Sequence, residues 1–324
     1  MLIDRSKWKQ LLDNIEATLK DVATLPPGPV TANSLAEREA NRANYAGLVS
    51  RMKTPIFDRS MSNEEFWNKL VAIPYWTNRP PAMGERIAAT VKHMVFSGEW
   101  LNPGPERNAM LADPLYYERG QRREVVEEAL RKVRDYIRLN PGKTIVDYYV
   151  LSDSMDEPSL KEVHDLVWKR VDCGSVTAFH IMMELGFPVL KPDAVVALVA
   201  VRLGLIRRYE KVSNRGGSRR TTTIDIPANL PQGRITSRSL SDDVDFGWAL
   251  QRVIKEMSTD TGRSFREIDR LLVKLGAQAK PADGLVQTIC GEEPQCHICL
   301  ASSICAFGKF NRKEAKKRAL ALAA

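Results

Sequence analysis

Residues 290–305 read CGEEPQCHICLASSIC and hold four of the chain's five cysteines, in the spacing C-x5-C-x2-C-x5-C. No other feature constrains the fold as strongly. A chain of 324 residues can bury a real core without disulfide staples, and a reducing compartment would not keep such staples. Close thiols in that setting hold a metal, so Cys290, Cys296, Cys299 and Cys305 are the expected ligands. Four thiolates around a central C-x2-C suit a [4Fe–4S] cluster. Zinc is the alternative, because Zn²⁺ also accepts four thiolates and His297 adjoins Cys296. The fifth cysteine, Cys173, reads as a small buried hydrophobe.

The compartment follows from the rest of the chain. The opening MLIDRSKWKQLLDN lacks the apolar centre of a secretory signal, and the longest apolar run, AVVALVAV, is too short to span a bilayer. A cytoplasmic, nucleoid-associated protein with no membrane partner is expected. The net charge of +8 is concentrated in two blocks. RRYEKVSNRGGSRR carries Arg215, Arg219 and Arg220 among six cations against Glu210, and FGKFNRKEAKKRALALAA adds six more against Glu314. Two separated basic blocks point to a polyanion, most simply nucleic acid.

Most of the chain has helical periodicity. Residues 2–20 and 33–52 read as helices, SNEE at Ser62–Glu65 has the form of a capping box, and Leu160, Val163, Leu166 and Val167 make one apolar face. The best strand pattern, TTTIDIP, sits inside the basic insert, where Gly216-Gly217 suits a hairpin turn. The expected class is all-α. A tight turn at Cys173-Gly174 leads into a helix with Ala178, Ile181, Met182 and Leu185 on its buried side. That helix stops at Gly186, and FPVLKPD then places Asp193 directly before an apolar helix. An aspartate there is a helix N-cap on local pattern alone, worth about 1 kcal/mol.

Taken in order, these segments resemble the helix-hairpin-helix, Gly/Pro-Asp superfamily of DNA glycosylases, in its endonuclease III branch. RVDCGSVTA stands where that family has its hairpin, LGFPVLKPDAVV where it has a G-[WF]-P turn and an aspartate opening the next helix, and the four cysteines where it has an iron–sulfur motif. The resemblance covers about 60–205 and 250–305. It implies two helical domains: a six-helix barrel with the hairpin over 61–185, and an iron–sulfur domain over 1–60 and 186–324, with a basic insert at 207–240. It favours the [4Fe–4S] cluster over zinc and makes Asp193 the catalytic carboxylate. A fixed ionised carboxylate stabilises the oxocarbenium-like charge that builds on the sugar as the base leaves, or orients water.

The hairpin residues Gly174, Ser175 and Thr177 are expected to meet a DNA phosphate. Asn78 is expected to fill the gap left by a flipped base, with Arg79 on a phosphate and Tyr75 and Trp76 against the base. Arg215, Arg219 and Arg220 add DNA contacts from the insert. Three departures from the family pattern matter. Val176 replaces the lysine of members with lyase activity, and valine is no nucleophile. Asp172 replaces the hairpin's first glycine, and the first cysteine interval is one residue short. Lys191 is expected on the wrong side of the helix to substitute as nucleophile. The resulting expectation is a monomeric, monofunctional DNA glycosylase acting on double-stranded DNA with a damaged or modified base. The alternative is a non-catalytic DNA-binding protein on the same scaffold.

Overall fold

The computed structural model describes residues 2–52, 54–63, 65–67, 69–70, 128, 131–133, 135–171, 173–215, 218–227 and 235–312. These are predominantly helical, with one two-stranded antiparallel sheet among the described residues. The chain forms two compact units, Met1–Thr54 with Leu190–Ala324, and Pro55–Val189.

The discontinuous unit begins with α1 (Trp8–Ala17), whose Trp8, Leu11, Leu12 and Ile15 fall at i, i+3, i+4 and i+7 and are all buried. A wider π turn follows at Thr18–Val22. Helix α2 (Ala32–Arg51) opens on a capping box in which Thr31 and Ser34 satisfy each other's backbone amides. The N-terminal helices are sewn to segments far away in sequence. Val286 N–H donates to the Ala23 carbonyl at 2.8 Å, and Leu300 N–H donates to Thr18 Oγ1 at 3.1 Å. Arg263 bridges Asp13 and Glu16, each at 2.8 Å.

The remainder of this unit holds helix α3 (Ala194–Leu203), strands β1 (Arg208–Arg215) and β2 (Ser218–Asp225), and helices α4 (Ser237–Ser241), α5 (Val244–Thr261) and α6 (Phe265–Gly276). The α3 helix is buried along most of its length and stops at Gly204, whose left-handed φ of 86° favours glycine. In α6, Ile268, Leu271, Leu272 and Leu275 form the buried stripe. Gly276 ends that helix hard against α3: a Cβ there would lie 2.4 Å from Val199 Cγ2 and 3.0 Å from Val195 Cγ1.

The second unit contains helices α7 (Ile145–Tyr149), α8 (Glu157–Val171) and α9 (Ser175–Leu185). Thr144 and Asp147 cap α7 reciprocally, and Ala178, Ile181, Met182 and Leu185 of α9 are buried as their spacing requires. Gly186 ends α9 with φ 96°, and a Cβ there would sit 2.4 Å from the Ile56 carbonyl carbon and the Phe57 nitrogen. The chain crosses so closely at that point that Phe57 N–H donates to the Gly186 carbonyl at 3.0 Å and the Phe57 and Phe187 rings stack at 4.2 Å. Residues 71–127, on which much of the expected barrel falls, lie outside the described residues. No helix among the described residues is long and apolar enough to cross a membrane.

The α3–α6 contact carries a direct test. Gly276→Ala gains helix propensity of about 1 kcal/mol but drives a methyl into the buried Val199 and the half-buried Val195, which costs about 1–3 kcal/mol. The net result expected in denaturant unfolding is a lower midpoint with unchanged slope.

Candidate functional site

The turn before α3 places three charged groups together. Gln251, buried on α5, donates from Nε2 to the Leu190 carbonyl at 2.8 Å and accepts the Leu190 amide on Oε1 at 2.9 Å. With Leu190 held at both backbone groups, the chain tightens around Pro192, and Asp193 N–H donates to the Lys191 carbonyl at 2.9 Å. This three-residue turn folds the Lys191 side chain back, so that Nζ lies 3.2 Å from Asp193 Oδ2. The sequence places Lys191 on the wrong side of the helix to act as a nucleophile and gives no sign of this pairing with Asp193. A linear count from the helix does not register a turn that reverses the chain in three residues.

Asp193 itself caps α3. Its Oδ1 accepts from the Val195 and Val196 amides, both at 3.0 Å, and about a quarter of its side chain stays exposed. The carboxylate is therefore aimed by the helix N-terminus through one oxygen and by Lys191 through the other. Behind it stands Asp269, on the buried face of α6. Its Oδ1 has no hydrogen-bond partner among the described residues, and Arg266 approaches its Oδ2 at 3.8 Å. Burial pushes the Asp269 carboxyl up to about 7, the Asp193 charge adds to the rise, and Arg266 and Lys191 oppose it. Gln251 and Asp269 were missed in the sequence, although each is a polar residue at a buried position of an amphipathic helix.

The four clustered cysteines line one small cavity, together with Arg202, Leu275, Ile289 and Phe307. They share that space, yet no three Cys, His, Asp or Glu side chains among the described residues are grouped tightly enough to hold an ion as they stand. Burial raises the Cys290 thiol to about 12 and the Cys299 thiol to about 11, and raises Cys305 as well. Donors nonetheless converge on the sulfurs. Gly308 N–H donates to Cys305 Sγ at 3.1 Å and Asn311 Nδ2 to Cys296 Sγ at 3.5 Å. The Arg202 guanidinium, itself buried, lowers Cys290 against the burial effect and bonds the Cys290 carbonyl at 3.1 Å. A buried cation and N–H groups aimed at sulfur suit thiolates joined to a metal better than four neutral thiols. His297 is exposed and faces a separate open groove. The cavity lining brings the four cysteines together, with Ser302 beside them.

The remaining expected site residues fall as follows. Gly174 is exposed at the N-cap of α9 without a side-chain cap bond, and Thr177 is half-buried in the first turn. The Ser175 hydroxyl lies 3.2 Å from Nε2 of the buried His164. Arg219 and Arg220 are exposed on β2, and Arg215 ends β1. Tyr75, Trp76, Asn78, Arg79 and Asp172 lie outside the described residues. No family model, curated protein or solved structure matches the chain.

Asp269 gives a pH signature. Its folded value of about 7 stands above the ordinary 3.8, so the native state holds this proton more tightly than the unfolded chain. Its stabilising contribution is complete below about pH 4 and is lost as pH rises through about 7. Between pH 5 and 7 the wild type should lose about 2–3 kcal/mol relative to Asp269→Asn. Melting both proteins across that range checks this, and parallel curves would show that Asp269 does not titrate there.

Proposed function

We propose that the chain is a monofunctional DNA glycosylase that flips a damaged or modified base out of duplex DNA and hydrolyses its glycosidic bond, with Asp193 as the catalytic carboxylate. The observation that carries the reading is the setting of Asp193: partly exposed, aimed by two helix-terminal amides and flanked by a lysine. In this reading the Val195 and Val196 amides hold the carboxylate in place before the sugar cation develops, so little reorganisation is needed as the bond breaks. The resemblance of RVDCGSVTA, LGFPVLKPDAVV and the four-cysteine segment to the helix-hairpin-helix glycosylases supports it further. That resemblance also supplies the finer architecture: a six-helix barrel over 61–185, and a discontinuous iron–sulfur domain over 1–60 and 186–324.

Cys290, Cys296, Cys299 and Cys305 would hold a [4Fe–4S] cluster, which when bound supplies a four-point cross-link of the closing segment. The gathering of all four cysteines on one cavity and the donors aimed at two of the sulfurs support this assignment, with zinc in four thiolates as the alternative. Lyase chemistry is not part of the reading. Val176 has no amine, and Lys191 Nζ is held against Asp193 Oδ2 at 3.2 Å. A non-catalytic DNA-binding protein is the second reading. It draws support from the fact that both Asp193 oxygens already have protein partners.

Asp193→Asn separates the two. Asparagine still caps α3, so fold and DNA affinity should persist. Base release should fall by more than a hundredfold, in line with the roughly 3–4 kcal/mol lost when one preorganised electrostatic contact is removed. The assay screens duplexes bearing single damaged or modified bases, with alkali afterwards to break abasic sites, and borohydride to trap covalent adducts. The wild type should give breaks only after alkali and no trapped adduct. Undiminished release by Asp193→Asn removes the catalytic assignment, and no release by the wild type on any substrate leaves the binding-protein reading.

A further inference from the structure

We infer that the β1–β2 hairpin is a groove-reading ribbon, which lies in the major groove of duplex DNA with the outward face of β2 on the base edges. The inference rests on the nucleic-acid part of the proposed function and not on base release. It starts from how unevenly the hairpin is anchored.

At its root the ribbon is fixed and electrically neutral. Ile226 N–H closes the base by donating to the Arg207 carbonyl at 2.7 Å, and Arg208 pairs with Asp225 at 3.6 Å. Tyr209 is buried with its hydroxyl donating to Asp243 Oδ2 at 2.9 Å, Lys211 pairs with that same carboxylate, and Asp245 accepts the Val212 amide at 2.9 Å. Those contacts all reach the N-terminal end of α5. Beyond Lys211 the character changes. Strand β2 is exposed from Ser218 to Thr223, and Arg219 and Arg220 make no ion pair among the described residues. The ribbon is thus a clamped stem with unneutralised arginines at its far end.

The register decides which side chains are presented. Tyr209 pairs with Ile224, Lys211 with Thr222 and Ser213 with Arg220, so these share the face that turns to α5. Val212 pairs with Thr221 and Glu210 with Thr223, which puts Arg219, Thr221 and Thr223 in one row on the opposite, outward face. Alternate residues on a strand stand about 6.8 Å apart, close to two base-pair steps of about 3.4 Å. A major groove about 12 Å wide admits a two-stranded ribbon, and its floor offers guanine acceptors to an arginine fork and thymine methyls to threonine. Positive charge without internal partners selects a polyanion over an added protein strand at the open edge of β2.

The test uses the full-length protein and a fluorescent unmodified duplex of mixed sequence, alone or loaded with methyl green in the major groove or netropsin in the minor groove. Methyl green should weaken binding about tenfold or more, and netropsin should leave it within about twofold. Arg219→Ala should lose about as much affinity as methyl green removes and become insensitive to that dye. Arg219→Lys should keep affinity for random sequence while losing preference among sequences, because a lysine keeps the charge without the fork. Competition by netropsin instead, unchanged affinity in Arg219→Ala, tighter binding to single strands, or no binding to the duplex would each overturn the inference. Binding that behaves as expected in a protein that releases no base would count against the glycosylase reading alone.

Discussion

Two hydrogen bonds from one buried side chain set the geometry on which the candidate site depends. Gln251 holds the Leu190 amide and carbonyl at 2.9 and 2.8 Å, and so fixes where the chain enters the turn at Pro192. From that anchored point the turn brings Lys191 to Asp193, and Asp193 starts α3. A buried amide satisfied on both sides by backbone cannot shift without stranding polar groups, each costing about 1–3 kcal/mol. The position of the carboxylate is thus set by a contact 61 residues away in the chain, and α6 then holds α3 in place through the glycine contact at Gly276.

The same logic governs the cysteine segment, which has little regular structure of its own. It is held by partners from elsewhere: Cys290 N–H donates to the Leu275 carbonyl at 2.8 Å, Asn14 donates to the Leu300 carbonyl at 3.2 Å, and Arg202 reaches the carbonyls of Cys290 and Glu292. Residues on α3 and α6 therefore line the space around four thiols that belong to a single sixteen-residue stretch, and α1 ties that stretch down through Asn14. Burial that raises the Cys290 and Cys299 thiols to about 12 and 11 would make four bare thiolates costly. Arg202 and the N–H donors at sulfur offset part of that cost, and a metal, if bound there as proposed, would take up more of the charge.

What was legible in the sequence was local. Asp193 before an apolar helix, Gly186 after one, the buried stripe of α9 and a hairpin in the basic insert are all found where their patterns place them, because capping, left-handed stops and strand alternation act over a few residues. The pairing of Lys191 with Asp193 was not legible, since it depends on a three-residue turn fixed by Gln251. Asp269 and Arg202 escaped for a related reason. A charged residue on an apolar face is visible as an anomaly, but Asp193 and Lys191 lie 76 and 78 positions from Asp269, Cys290 lies 88 from Arg202, and only the fold brings them together. The His164–Ser175 contact shows the converse: a hairpin serine expected to be free for phosphate has a buried histidine beside it.

Whether the four cysteines carry an iron–sulfur cluster decides the proposed family reading most directly. The most direct measurement is the iron and acid-labile sulfide content of protein purified without oxygen, read with its absorbance near 400 nm. The account requires about four irons and four sulfides per chain and a brown protein. One zinc per chain with no sulfide and no colour would contradict it.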